Sequence, residues 1–258
     1  MHRESPFHRQ HEAGFRWRGG EIARIEGLSD AVFAFAVTLL VVSLEVPKTF
    51  DELAVLMRGF APFAICFFLL MQIWHEQYRY FRRYNLQDTA STVLNCILLF
   101  VVLFYVYPLK FLFTFLVNGW TGGSPRVRLG TGAVENMIEP HQLPQLMAIF
   151  SGGYLAVACI FILLFGRALR QRHALQLDPH EILATRIGIG AAMLQGATAA
   201  ISLALLAFGG QRMGAMSGIV YPILLGPGFS VYYSIMGAKR RRLSQAIAAP
   251  AASGSPRE

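Results

Sequence analysis

Six apolar runs, each about 20 residues or longer, dominate this 258-residue chain. A helix needs about 20 apolar residues to cross the roughly 30 Å hydrocarbon core of a bilayer. The runs fall at about Ile22–Val46, Leu53–Tyr80, Ala90–Val117, Leu146–Leu169, Ile187–Phe208 and Ala215–Met236. Pro47 ends the first, Asn85–Asp88 separates the second from the third, and a Gly/Pro-rich stretch over Asn118–Pro144 is the longest connection. The composition agrees, with 54% hydrophobic and only 15% charged residues, where soluble domains carry roughly a quarter charged. A water-soluble enzyme, a disordered chain and a disulfide scaffold all fit poorly. The expectation is an all-α, multi-pass protein of the cell membrane with six transmembrane helices.

Charge placement orients the spans. An even number of crossings puts both termini on one side. With both inside, the opposite side keeps only Lys48, Arg58, Lys110, Arg126, Arg128 and Arg212, and the other 17 of the 23 Lys and Arg are cytoplasmic. That asymmetry is what the positive-inside rule requires. It accounts for the net charge of +8 without nucleic acid as a partner; the Lys239–Arg242 cluster reads as a topology anchor or an anionic-lipid contact. Residues 1–21 are expected to form a cytoplasmic segment, with no removable signal peptide. Residues 22–238 form the six-helix domain and 239–258 a basic tail, disordered after Ser244. Cys66, Cys96 and Cys159 lie inside apolar runs without a CxxC pair, so they read as small buried hydrophobes and not as metal ligands.

The first span differs from the others. Arg24 and Glu26 sit near its start, but Asp30 lies well inside it, where a carboxylate costs roughly 2.5–3.5 kcal/mol at mid-bilayer. Such a residue is expected to face protein or water and to have partners. Ser29 and Arg24 precede it, and Trp74, His75, Gln77 and Tyr78 lie at matching depth on the second span, with Asn95 and Tyr105 on the third. Interhelical hydrogen-bonding is the plain reading of each; a proton relay through Asp30 and His75 is the bolder one. Phe35, Thr38, Leu39 and Val42 recur at helical spacing and make one stripe. Asp30 sits about 140° away from Phe35 around the helix. Glu45, with Asp51 and Glu52, would place carboxylates around an outer vestibule, or simply form a solvated loop.

The start Arg24-x-x-x-Leu28-Ser29-Asp30, followed by Ala31-Val32-Phe33-Ala34 and Thr38-Leu39-Leu40-Val41, resembles the first helix of the transmembrane protein 175 family of potassium channels. The resemblance continues through Trp74, Arg82-Arg83-Tyr84, Leu94-Asn95 and Phe104 to Lys110. It covers about the first 117 residues; the last three spans match in number and length alone. The resemblance implies six helices per repeat and, as in bacterial single-repeat members, a homotetramer in the plasma membrane whose first helices line a central pore. It implies passage of potassium, weakly preferred over sodium, past hydrophobic rings, without a carbonyl filter. The family's constricting isoleucine falls on Phe35. Its threonine falls on Thr38, where a potassium ion would pass transiently, and Leu39 and Val42 continue the series. The family's Phe-Ser-Asp is Leu28-Ser29-Asp30 here, and its usual histidine falls on Gln77, with His75 two residues earlier.

A secondary transporter and a proton-conducting channel are the competing readings. Gly218, Pro222, Gly226, Pro227 and Gly228 could kink the sixth span as transporters require, but no matching broken helix is apparent in the first half. An embedded enzyme fits least. The seven histidines form no HExxH pattern, and no cofactor is implied.

Overall fold

A computed structural model describes residues 11–12, 15–19, 22–42, 48–120, 126–128 and 134–252. Among them are seven helices: α1 (Arg24–Val42), α2 (Phe50–Arg58), α3 (Phe60–Tyr84), α4 (Thr89–Trp120), α5 (Leu143–Arg170), α6 (Pro179–Gly209) and α7 (Gly214–Ala252). The second apolar run is therefore two helices. It breaks at Gly59, with Pro62 in the first turn of α3, where a missing N–H costs nothing. Two short antiparallel ladders also depart from an all-α expectation: β1 (His11–Glu12) with β2 (Phe15–Arg16), and β3 (Arg126–Arg128) with β4 (Val134–Asn136) inside the longest connection.

Helix boundaries follow local chemistry. Asn85 takes the left-handed conformation that closes α3, its N–H donating to Phe81 O at 2.8 Å; asparagine tolerates this region better than most residues. Asp178 caps α6 reciprocally with Glu181, and Pro179 opens the helix, so three residues specify the start of a long span. α7 runs unbroken past Pro222, Gly226, Pro227 and Gly228 and on to Ala252. The tail after Ser244 thus begins as helix where disorder was expected. Residues 245–249 are Gln, Ala and Ile, which sustain a helix once one is propagating.

α4, α5, α6 and α7 are long and apolar enough to cross a membrane. α1 is shorter, about 28 Å at 1.5 Å per residue, and carries Arg24, Glu26 and Asp30 in its first two turns. α3 concentrates His75, Glu76, Arg79, Arg82 and Arg83 in its second half. α1, α3 and α4 pack together, α5, α6 and α7 pack together, and α4 on α5 joins the two groups. Gly196 lies where an added Cβ would be 3.5 Å from that of Ala158; small residues let α5 and α6 approach closely. Cys66 is buried, but Cys96 and Cys159 are exposed on the protomer, contrary to the expectation for all three. Apolar runs that face lipid place half their small hydrophobes outside.

One end of the bundle collects arginines, and three of them, Arg18, Arg82 and Arg167, are tied to acidic helix starts. Glu181 at the start of α6 receives both terminal nitrogens of Arg18 (2.6 and 3.0 Å) and the Arg16 N–H (3.0 Å). Arg82 of α3 meets Glu26 of α1 at 3.6 Å and donates to Gly19 O. Asp88, before α4, pairs with Arg167 near the end of α5 and accepts from the Ser91 hydroxyl at 2.7 Å. Residues 15–19 are therefore folded onto the bundle: Phe15 is buried, edge-on to Tyr84.

Burial pushes the Asp88 carboxyl up, but the Ser91 hydroxyl and the Arg167 guanidinium outweigh it and hold the group below its ordinary range. A depressed carboxyl contributes stability above its unfolded-state pKa and loses it as pH falls through the folded value. Asp88→Asn is expected to lower the thermal midpoint at neutral pH. The gap to wild type should close as the pH is lowered through and below the usual aspartate range, read by fluorescence melts of the detergent-solubilised protein.

Candidate functional site

α1 has two unlike faces. Glu26, Ser29, Phe33, Ala36 and Leu40 are buried, at the spacing of one helix face. The other face carries Leu28, Ala31, Ala34, Phe35, Thr38 and Val41, all exposed on the protomer. Phe35 is 56% exposed, too open for a residue whose role is to fill the protomer's core.

The buried face is fixed by side-chain hydrogen bonds. Ser29 Oγ donates to Ile25 O at 2.7 Å and accepts from Asn95 Nδ2 of α4 at 2.9 Å; Asn95 Oδ1 accepts from Gln77 Nε2 of α3 at 2.9 Å. Ser29 and Asn95 are 0% exposed and Gln77 2%. One turn further along α3, Trp74 Nε1 donates to Asp30 Oδ1 at 2.7 Å. Trp74 stacks on Tyr78, which also meets the Trp17 ring edge-on and the Arg82 guanidinium face-on. At the far end of α1, Lys110 Nζ of α4 donates to Leu40 O at 2.7 Å. That carbonyl is among the last four of the helix, which lack intrahelical donors, and a cation there also suits the helix dipole. α1 is thus pinned to α3 and α4 at both ends.

The structure brings Asp30 to Trp74, and Ser29 to Asn95. It does not bring Arg24 or His75 into this network. Arg24 is exposed, and Asp30 lies on a different side of the helix, exposed apart from its bond to Trp74. His75 is exposed beside Tyr78, so no path from Asp30 to His75 is assembled among the described residues. Gln77 occupies the place expected of His75, because it lies a near half-turn around α3 and faces α4. Lys110 was legible only as a charge; its role as a clamp needed the contact.

Of the expected stripe, Phe35 and Thr38 lie on the exposed face, Leu39 is half-buried against the core, and Val42 is the last residue of α1. Glu45 lies outside the described residues. Val41, Ala31 and Leu28 share the exposed face with Phe35, and stepping back by four and seven residues from Phe35 would have found the last two. The Thr38 hydroxyl donates to Ala34 O at 2.9 Å. Its proton is used within the helix, so the hydroxyl oxygen presents an acceptor on the exposed face. Among the described residues no group of three His, Cys, Asp or Glu side chains could hold a metal ion.

A multi-pass helical membrane protein whose first helix is polar-pinned on one side and bare on the other is the class these features define. The family described as "Endosomal/lysosomal potassium channel TMEM175" matches residues 24–105, the stretch holding α1, α3 and the Ser29–Asn95–Gln77 chain. A protein of Marivirga tractuosa named "Potassium channel" is 39% identical over 239 residues, covering 90% of this chain and 94% of its own. A potassium channel of Chamaesiphon minutus is 27% identical over 172 residues, covering 63% and 74%. The crystal structure of the potassium channel MtTMEM175, as a T38A variant with a Nanobody-MBP fusion protein, superposes with a TM-score of 0.71 at 36% identity, covering 91% of this chain and 98% of that one. The chain belongs to the TMEM175 family.

Asn95 sits at the centre of the buried chain, and truncating it strands both neighbours. Asn95→Ala is expected to cost about 1–3 kcal/mol, the penalty for unsatisfied buried groups. In a double-mutant cycle with Gln77→Ala the two losses should fall short of additive, measured by thermal or denaturant unfolding in detergent.

Proposed function

We propose that this chain is the subunit of a potassium-permeable channel in the bacterial plasma membrane, built as a homotetramer around α1. The observation that carries the reading is the bare face of α1. Leu28, Ala31, Phe35, Thr38 and Val41 project from a helix whose opposite face is locked to its own subunit. One such stripe cannot enclose a water column, but four copies around an axis can, and closed rotational symmetry is the usual way to bury one patch in every subunit. The names of the relatives support potassium as the ion.

In this reading six spans cross the bilayer, α3 among them, and the arginine-rich end with both termini faces the cytoplasm. The segment 1–21 and the basic region from 239 lie on that side of the 22–238 domain. The asymmetry of Lys and Arg supports the orientation. Phe35 forms the constriction. A narrow apolar ring disfavours a continuous water column, and an ion stripped of water there finds no replacement ligands. Thr38 offers the first outward lone pairs beyond it. Leu39 and Val42 border the same pore, and Glu45 contributes charge to the outer vestibule. Potassium sheds water more readily than sodium, so a weakly coordinating constriction prefers it modestly.

Asp30, Trp74, Ser29, Asn95 and Gln77 hold the pore helix in register and do not themselves face the ion. Asp30→Ala is therefore expected to reduce tetramer yield more than ion preference, read by the mass of the solubilised assembly beside bi-ionic reversal potentials. A stable tetramer changed only in selectivity would move Asp30 into the pore.

Single-channel recording tests the constriction. Phe35→Ala should raise conductance and blur the preference for K⁺ over Na⁺, while Thr38→Ala should reduce the preference with less effect on closure. Unchanged conductance and reversal potential in both variants would take these residues out of the pore.

A further inference from the structure

A cavity of about 590 Å³ opens between α3 and the α5–α6–α7 group. It exists because α3 leans mainly on α1 and α4, whereas α7 leans on α6 and α5, and α3 and α7 are not closely packed on each other. Its inner part is aromatic. Phe150, Tyr154 and Tyr221 stand with ring centroids 5.1–6.1 Å apart. The lining on α7 runs from Tyr221 to Arg240, about 28 Å of helix. That exceeds the depth of one leaflet's hydrocarbon, roughly 15 Å. Its outer part is cationic: Arg79 and Arg83 of α3 and Arg240 of α7 line it, against a single carboxylate, Glu76, which pairs with Arg79 at 3.0 Å and leaves the mouth a net positive charge. The helical run of α7 beyond the span carries Lys239, Arg241 and Arg242 alongside.

We infer that this crevice binds one anionic phospholipid, its acyl chain along the aromatic wall and its phosphate among Arg79, Arg83 and Arg240. An apolar channel opening onto a basic mouth at the bundle's arginine-rich end matches such an amphiphile in both halves, and basic pockets between membrane helices are where anionic headgroups lodge. A second copy of this chain suits the mouth poorly. It carries a net +8, and the acidic groups Glu26, Glu76, Asp88 and Glu181 at that end are already held by Arg82, Arg79, Arg167 and Arg18. The inference needs the bundle to sit in a bilayer but not to conduct.

Native mass spectrometry of the full chain released from detergent tests it, with phosphatidylglycerol, phosphatidylcholine of the same acyl chains, and glycerol 3-phosphate as probes. Phosphatidylglycerol should be retained at least about tenfold better than phosphatidylcholine, and the double variant Arg79→Gln/Arg240→Gln should lose about that factor. A Cβ at Gly237, in the lining, would meet nothing within 4 Å. Gly237→Phe should therefore narrow the crevice, reduce lipid retention and leave the oligomer mass unchanged. Equal retention of the two lipids, an unaffected double variant, or competition by glycerol 3-phosphate at matched concentration would each overturn the inference. So would a Gly237→Phe protein whose assembly falls apart, since that would put a second copy of the chain in the crevice. No current is read, so a negative result leaves the proposed channel function standing.

Discussion

The hydrogen-bonded chain Ser29–Asn95–Gln77 is the contact on which the arrangement of α1 depends. Three small polar side chains, wholly buried, meet where α1, α3 and α4 converge. In lipid no hydrophobic gradient drives helices together, so packing and interhelical hydrogen bonds must set their register. Each such bond contributes modestly, but leaving one end unpaired is costly. Rotation of α1 by even a quarter-turn would strand both Ser29 and Asn95. The same bonds therefore fix which side chains α1 shows to the outside.

From that constraint the rest of the α1 surface follows. Once Ser29 points inward, Phe33, Ala36 and Leu40 do too, and Phe35 and Thr38 cannot. Lys110 on Leu40 O and Trp74 on Asp30 then hold the two ends. The arginine ties at the basic end serve a second purpose. Glu26, Asp88 and Glu181 each sit at a helix start, where a negative charge complements the dipole, and each takes its arginine from an element remote in sequence. The pairs staple Arg18 and its neighbours, α1, α3, α5 and α6 into one surface.

Much of this was legible from residue order alone. Length and apolarity gave the helices, because a bilayer admits few alternatives. The misplaced Asp30 singled out α1, since its cost demanded a partner. Asn95 and Trp74 could be named as partners from depth. Other features were not legible. The break at Gly59 looks like any glycine in an apolar run, and the continuation of α7 past Ser244 hides in a composition shared with disordered tails. His75 and Gln77 were equally placed by depth, and only rotation about α3, set by Tyr80, Phe81 and Tyr84 packing inward, chose Gln77. Arg24 belonged to the motif but not to the network, because a motif records position along the chain and not the side of the helix that is buried.

In the proposed channel the bare face of α1 meets water and ions. Cysteines placed one at a time along α1, after replacement of Cys66, Cys96 and Cys159, test it when a charged, membrane-impermeant thiol reagent is applied during current recording. Ala31→Cys, Phe35→Cys and Thr38→Cys should be modified, with altered current. Phe33→Cys, Ala36→Cys and Leu40→Cys should be untouched, giving the period of one helix face. Modification of the second set, or of neither, would contradict the account and place the exposed face of α1 against lipid.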